Sequence, residues 1–133
     1  MTWRVRLEPA AEEFLVYVPD GVREHIGSIL SALLARDPRR FRGGGYWEAM
    51  RGDMRGWFEL RCTGPRREQF RLFCLLENGT AEALAELGLD GPTIAVITGL
   101  RKPHRSVFSS TDYARVRRAG DAYRSQVPRR VLE

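Results

Sequence analysis

Four side chains in the middle and late parts of the chain offer the chemistry worth pursuing: Arg61, Arg71, Lys102 and His104. Arg61 and Arg71 stand on two runs of alternating residues joined by Gly64-Pro65-Arg66-Arg67, which reads as a turn, so the runs form a hairpin with both guanidiniums on one sheet face. A planar guanidinium grips phosphate oxygens in pairs, and Arg61 with Arg71 is the expected phosphate clamp. The competing reading pairs either of them with Glu59, Glu68 or Glu77 on a solvated face. Arg101 and Lys102 follow where a strand ends and would form a lip of the same groove, Lys102 also being placed to act as acid or base, or else a solvated turn lysine. His104 lies at that lip, and an imidazole suits proton transfer near neutrality, which makes it the best single general acid/base candidate. Arg105 extends the basic lip.

Trp57 and Phe73 fall on the Arg61/Arg71 face, where they would either stack a base or pack under a helix. The loop Arg39 to Gly45 mixes Arg40, Phe41, Arg42 and three glycines without the spacing of a nucleotide-binding P-loop, and its arginines are candidates for phosphate contacts on RNA. Tyr113 belongs to an apolar helical stripe and reads as core before it reads as a proton donor, and His25, beside Ile26, reads as structural.

The charge pattern points the same way. The chain has 22 Lys+Arg against 17 Asp+Glu, a formal net charge of +5. Residues 99–130 hold nine basic side chains against Asp112 and Asp121, whereas residues 76–92 hold Glu77, Glu82, Glu86 and Asp90 with no base. A basic C-terminal third attracts a polyanion, most simply nucleic acid. The 133 residues suit one domain spanning 1–133, large enough to bury a core without disulfides. Two cysteines and two histidines, without zinc-site spacing, lead to the expectation of no metal and no cofactor. No apolar run is long enough to span a bilayer and the first residues lack a signal-peptide apolar region, so a cytoplasmic protein without a membrane partner is expected.

Alternation places a strand at Thr2 to Glu8, and apolar spacing places helices from Ala10 to Val18, with Pro9 in the first turn, and from an Asp20 cap through Leu33. Two strands of the hairpin follow, then a short helical stretch at Ala81 to Leu87 and a nearly all-apolar strand at Thr93 to Thr98. Ser109 to Asp112 supply caps for a last helix ended by Pro128. The expected order is β-α-α-β-β-β-α: an α+β fold with a small, antiparallel-rich sheet, two N-terminal helices and one C-terminal helix.

That order, together with Gly56-Trp57-Phe58-Glu59-Leu60-Arg61, Phe70-Arg71-Leu72-Phe73 and Ile97-Thr98-Gly99-Leu100-Arg101-Lys102-Pro103-His104-Arg105, resembles the RelE/HigB superfamily of type II toxin–antitoxin toxins, in its phage-derived HigB-like branch. The likeness runs from Trp3 to about Arg124. Two departures stand out: Lys102-Pro103-His104-Arg105-Ser106 replaces a lysine-richer approach to the last helix, and the acidic stretch 78–92 is longer than the usual turn. The resemblance implies a metal-independent endoribonuclease that cuts mRNA on the ribosome and is neutralised by a co-encoded antitoxin, commonly of helix-turn-helix type. Such cleavage has the ribose 2′-OH attack the adjacent phosphorus, which requires a base, an acid and cations at the phosphoryl oxygens. In this reading Arg61, Arg71, Lys102 and His104 are the catalytic set, and Trp57, Phe73, Arg101, Arg105, Arg40 and Arg42 contact RNA or ribosome. The alternative within the superfamily is a non-catalytic binder, inactive or gyrase-inhibiting, which would not need that basic set. The acidic stretch would fence the basic groove or contact the antitoxin.

Overall fold

A computed structural model of the protein describes residues 2–41 and 43–130. The elements run β1 (Arg4–Leu7), α1 (Pro9–Val16), α2 (Asp20–Leu34), β2 (Trp47–Ala49), β3 (Trp57–Thr63), β4 (Gln69–Glu77), α3 (Ala81–Glu86), β5 (Thr93–Lys102) and α4 (Ser110–Arg124). The strands form one sheet in the order β1-β5-β4-β3-β2. β1 is parallel to β5, and the other neighbours are antiparallel. This is the α+β class expected, with an additional edge strand, β2, whose three residues are too few for alternation to register. Pairing with β3, Trp47 opposite Leu60, is what makes β2 a strand. Among the described residues no helix is long and apolar enough to cross a membrane.

Local chemistry explains most boundaries. Pro9 opens α1, where its missing N–H costs nothing. Arg23 of α2 donates to the last carbonyls of α1, Leu15 and Val16, at 2.9 and 3.1 Å, and to the Val18 carbonyl in the link at 2.9 Å. Asp20 does not cap α2 as its position suggests. Pro19 occupies the cap, and the Asp20 carboxylate accepts instead from Arg23 Nη1 at 2.7 Å. α4 begins with a capping box: Ser109 Oγ accepts from the Asp112 N–H at 3.1 Å, and the Asp112 carboxylate accepts from the Ser109 N–H at 2.8 Å.

The sheet is buried on both faces, unequally. One face carries Leu60, Cys62, Phe70, Leu72, Cys74, Ile94 and Val96 against Val22, Ile26, Ile29 and Leu33 of α2 and Ala11 of α1. The other carries Trp57, Phe73, Leu75, Ala95 and Ile97, covered by Val116 and Tyr123 of α4. Gly120 lets α4 lie directly on the indole: a Cβ there would stand 2.4 Å from a ring carbon of Trp57. One helix cannot roof the whole face. Where the coverage stops, the alternating residues of β3 and β4 change from Trp57, Phe73 and Leu75 to Glu59, Arg61, Gln69 and Arg71.

A bulge sets the end of β5. Phe73 opposes Thr98 and Cys74 opposes Val96, so Ile97 is an extra residue. Before it, Ile94 and Val96 face α1 and α2. After it, Gly99 meets Phe14 of α1 and Leu100 packs under α4, so the parity of the strand is reversed.

Candidate functional site

At the unroofed half of the α4 face lies a cleft of about 360 Å³, with Glu59, Gln69 and Arg71 as its floor, the segment Arg105 to Phe108 as one wall and Tyr113 of α4 closing it. The floor is rigid. Arg61 and Arg71 are directly opposite in the β3–β4 register, and Arg71 is held by Gln69 Oε1 at 2.8 Å and the Phe70 carbonyl at 3.3 Å, with its guanidinium 5.5 Å from the Phe108 ring centroid. Glu59 lies between the two arginines, 3.8 Å from each.

These contacts set the charges. Burial pushes the Glu59 carboxyl above its ordinary value, with Arg71 and Arg61 opposing and Glu48 adding to the rise. Burial likewise lowers the Arg71 pKa against the pull of Glu59. The Tyr113 phenol is pushed up by burial and then by Glu59, and so keeps its proton. A half-buried carboxylate, a guanidinium and a phenol on one small cleft make a proton acceptor, an anion site and a proton donor.

The expected site residues divide among several places. Arg71 and Arg105 line the cleft. Arg61 reaches its edge but is engaged elsewhere, donating to Glu48 Oε2 at 2.5 Å and the Gly45 carbonyl at 3.1 Å. Lys102 is on the cleft's face of the sheet, tied to Asp112 Oδ2 at 3.2 Å, where it fastens the end of β5 to α4. His104 is exposed on the turn closed by the Ser106 N–H to the Pro103 carbonyl, outside the cleft wall. Arg40 lines a separate depression along β2, and Arg42 lies outside the described residues.

Three expectations are corrected. Trp57 is buried under Gly120 of α4, and Phe73 is fully buried against Phe108 and Tyr113, so neither offers a face for a base. Arg101 is no lip of this groove, because the β5 bulge sends it to the other face, where it stacks on Phe70 at 5.1 Å and pairs with Glu68 at 2.6 Å. The acidic stretch does not fence the cleft: its α3 precedes β5, whose far end adjoins the cleft, and the Leu87 carbonyl accepts from the Arg129 N–H. Two cleft residues were read differently from sequence. Glu59 entered only as a pairing partner, although its place between two arginines on one sheet face follows from the alternation. Tyr113 reads from sequence as core first and as a proton donor second, and no helical periodicity distinguishes a stripe residue that the sheet leaves half uncovered.

A wider depression of about 880 Å³ runs along β1, but the one buried cation on its lining, Arg129, is already held by Glu77 at 2.8 Å. Among the described residues no three His, Cys, Asp or Glu side chains are grouped so as to hold a metal.

No family model matches the sequence. No curated protein matches it. Among solved structures, the chain is similar to the toxin–antitoxin complex RelBE2 from Mycobacterium tuberculosis, with 16% identity, 79% of this chain and 100% of that chain covered, and a TM-score of 0.42.

Proposed function

We propose that this chain is the toxin of a type II toxin–antitoxin pair, of the RelE/HigB kind, acting as a single domain that cuts mRNA on the ribosome without a metal. The observation that carries the reading is the meeting of Glu59, Arg71 and Tyr113 in one cleft. Glu59 takes the proton of the ribose 2′-OH as its oxygen bonds to phosphorus. Arg71 neutralises the charge that develops on the phosphoryl oxygens, as preorganised cations do in a partly dehydrated site. The bond from phosphorus to the 5′-oxygen breaks, and Tyr113 gives that oxygen its proton, leaving a 2′,3′-cyclic phosphate and a 5′-hydroxyl. Arg105 guides the strand inward from the exposed rim. The sequence motifs around Arg61, Arg71 and Lys102 support the same reading. The partner that follows is an antitoxin, of helix-turn-helix type in the HigB-like branch, presenting acidic groups to the basic cleft face.

Primer extension on a defined message in a purified translation system, with and without ribosomes, tests this beside the Arg71→Ala variant. Ribosome-dependent cuts that vanish in the variant are expected. Absence of cuts together with unimpaired translation would overturn it. That outcome would favour the second reading, a non-catalytic binder of the same fold, which draws on Arg61 being engaged by Glu48 and Lys102 by Asp112.

A further inference from the structure

The wall of the cleft contains an apolar side chain that the fold does not use. Val107 is 83% exposed, the most exposed of the large hydrophobic residues described, and it stands at the rim of the cleft. An isolated exposed valine needs no explanation. This one sits on a segment that is held at both ends. The Ser106 carbonyl accepts from Gln69 Nε2 at 2.6 Å, and the Ser106 N–H donates to the Pro103 carbonyl at 3.1 Å. Ser109, two residues on, is fixed by the capping box of α4, itself tied to Lys102. Arg105 adopts a left-handed backbone conformation, φ 66°, which is uncommon for an arginine. Phe108, next to Val107, turns inward onto Phe73 and Tyr113 and lies beneath the Arg71 guanidinium. A cation in the floor and a fixed apolar wall beside it form a pair of surfaces suited to a phosphate and to the ring attached to the same backbone. A phosphate alone would need no apolar wall, and a peptide carboxylate would leave that wall facing water.

We propose that Val107 is the contact for the unstacked nucleobase adjoining the phosphate at Arg71, and so a determinant of where single-stranded RNA is cut. The inference rests on the proposed RNA chemistry of this cleft and adds to it the residue that reads the base. Apolar packing senses the size and stacking area of a ring rather than its hydrogen-bonding edge, so the preference it sets is for ring size.

The test uses the full chain and two neutral variants, Val107→Ser and Val107→Trp, with Val127→Ser as control. Val127 is also well exposed, at 66%, but lies beyond the far end of α4. Binding is read by fluorescence anisotropy with a labelled single-stranded RNA hexamer and with its abasic counterpart, and cut positions are read by primer extension. Val107→Ser is expected to weaken binding of the hexamer about fivefold, the order expected when one or two buried methyl contacts are lost, and to leave the abasic strand unaffected. Val107→Trp is expected to tighten the hexamer and shift the distribution of bases at the cut, and Val127→Ser to change neither. Cleavage by the wild type with unchanged affinity and cut positions in both Val107 variants would overturn the base contact and leave the ribonuclease reading standing. Binding that depends on Val107 without any cleavage would keep the base contact and remove the ribonuclease. Equal losses on the hexamer and the abasic strand would show a backbone effect and overturn the proposal, as would a wild type that neither binds nor cuts.

Discussion

Arg61 and Arg71 stand opposite each other in the same register and still differ in what is left for a ligand. Arg71 is braced by Gln69 and the Phe70 carbonyl on the cleft floor, with a side chain only 16% exposed, whereas Arg61 already has a carboxylate partner in Glu48. Removing one preorganised donor from a transition-state site costs roughly 10²–10³ in rate. Arg71→Ala should therefore lower single-turnover cleavage about a hundredfold or more, and Arg61→Ala by less than about tenfold, since Arg61 is already engaged by Glu48 and the Gly45 carbonyl. Glu59 should leave a pH signature. As a base it works when ionised, so cleavage should rise with pH through a midpoint above the ordinary glutamate range, and Glu59→Gln should lose the rise along with most of the activity. Stability should respond in the opposite sense. A carboxyl raised by folding holds its proton more tightly in the native state, so stability falls as pH climbs from the ordinary glutamate range through the folded value. Glu59→Gln should flatten that part of the curve in urea titrations taken at several pH values. These side chains are legible in the sequence as types and as a shared strand face. Their separate roles depend on Glu48, which belongs to a strand too short to read.

The elements bring two further dependences. α4 approaches β3 closely enough that Gly120 has no room for a methyl group. Gly120→Ala gains helix propensity but forces the helix off Trp57, and a net loss of about 1–3 kcal/mol is expected by chemical denaturation, typical of overpacking. The capping box at Ser109 joins α4 to the cleft wall, so Ser109→Ala should cost about 0.5–2 kcal/mol and reduce cleavage as well, because the Phe108 and Tyr113 rings lie on either side of it. The helices, the β3–β4 hairpin and the start of α4 are readable because each depends on residues near one another in the chain: apolar spacing, proline and a run of cap-forming residues from Ser109 to Asp112, of which the structure selects Ser109. The β5 bulge was not. An unbroken alternation from Ile94 would put Lys102 on the α1 and α2 face and Arg101 on the cleft face, and the extra residue at Ile97 exchanges them. The bulge is a property of the pairing with β4 and leaves no mark in the apolar run Thr93 to Thr98.

Over the whole molecule, the chain is closed by a half-buried ion pair far from the cleft. Arg129, beyond α4, donates to both Glu77 oxygens, at 2.8 and 3.2 Å, and Tyr123 donates to Glu77 at 2.8 Å, so that β4, α4 and the segment after it are fastened together. Burial opposes ionisation of Glu77, but the hydrogen bonds from Arg129 and Tyr123 and the charges of Arg129 and Arg124 outweigh it and hold the carboxyl below the usual glutamate value. A depressed carboxyl contributes stability that is complete above the ordinary glutamate range and is lost as pH falls through the folded value. Acid titration of the wild type should show that loss and Arg129→Ala should lack much of it. The variant should also be about 3–5 kcal/mol less stable near neutrality, since it leaves a half-buried carboxylate without its partner. The same network explains the acidic stretch 76–92 in part, for Glu77 belongs to the fold rather than to a binding face. By itself the sequence determined the α+β class, the helices, the central hairpin, and the presence of two arginines on one sheet face of a basic chain. Each of these follows from patterns repeated over a few residues, which local sterics and apolar burial enforce. Only the tertiary structure decided which of the basic residues meet, that Trp57 and Phe73 are buried while Glu59 and Tyr113 are left half open, and where the cleft lies. Those outcomes depend on how far one helix can cover a five-stranded sheet and on one extra residue in a strand, and both are settled by contacts between segments distant in the chain.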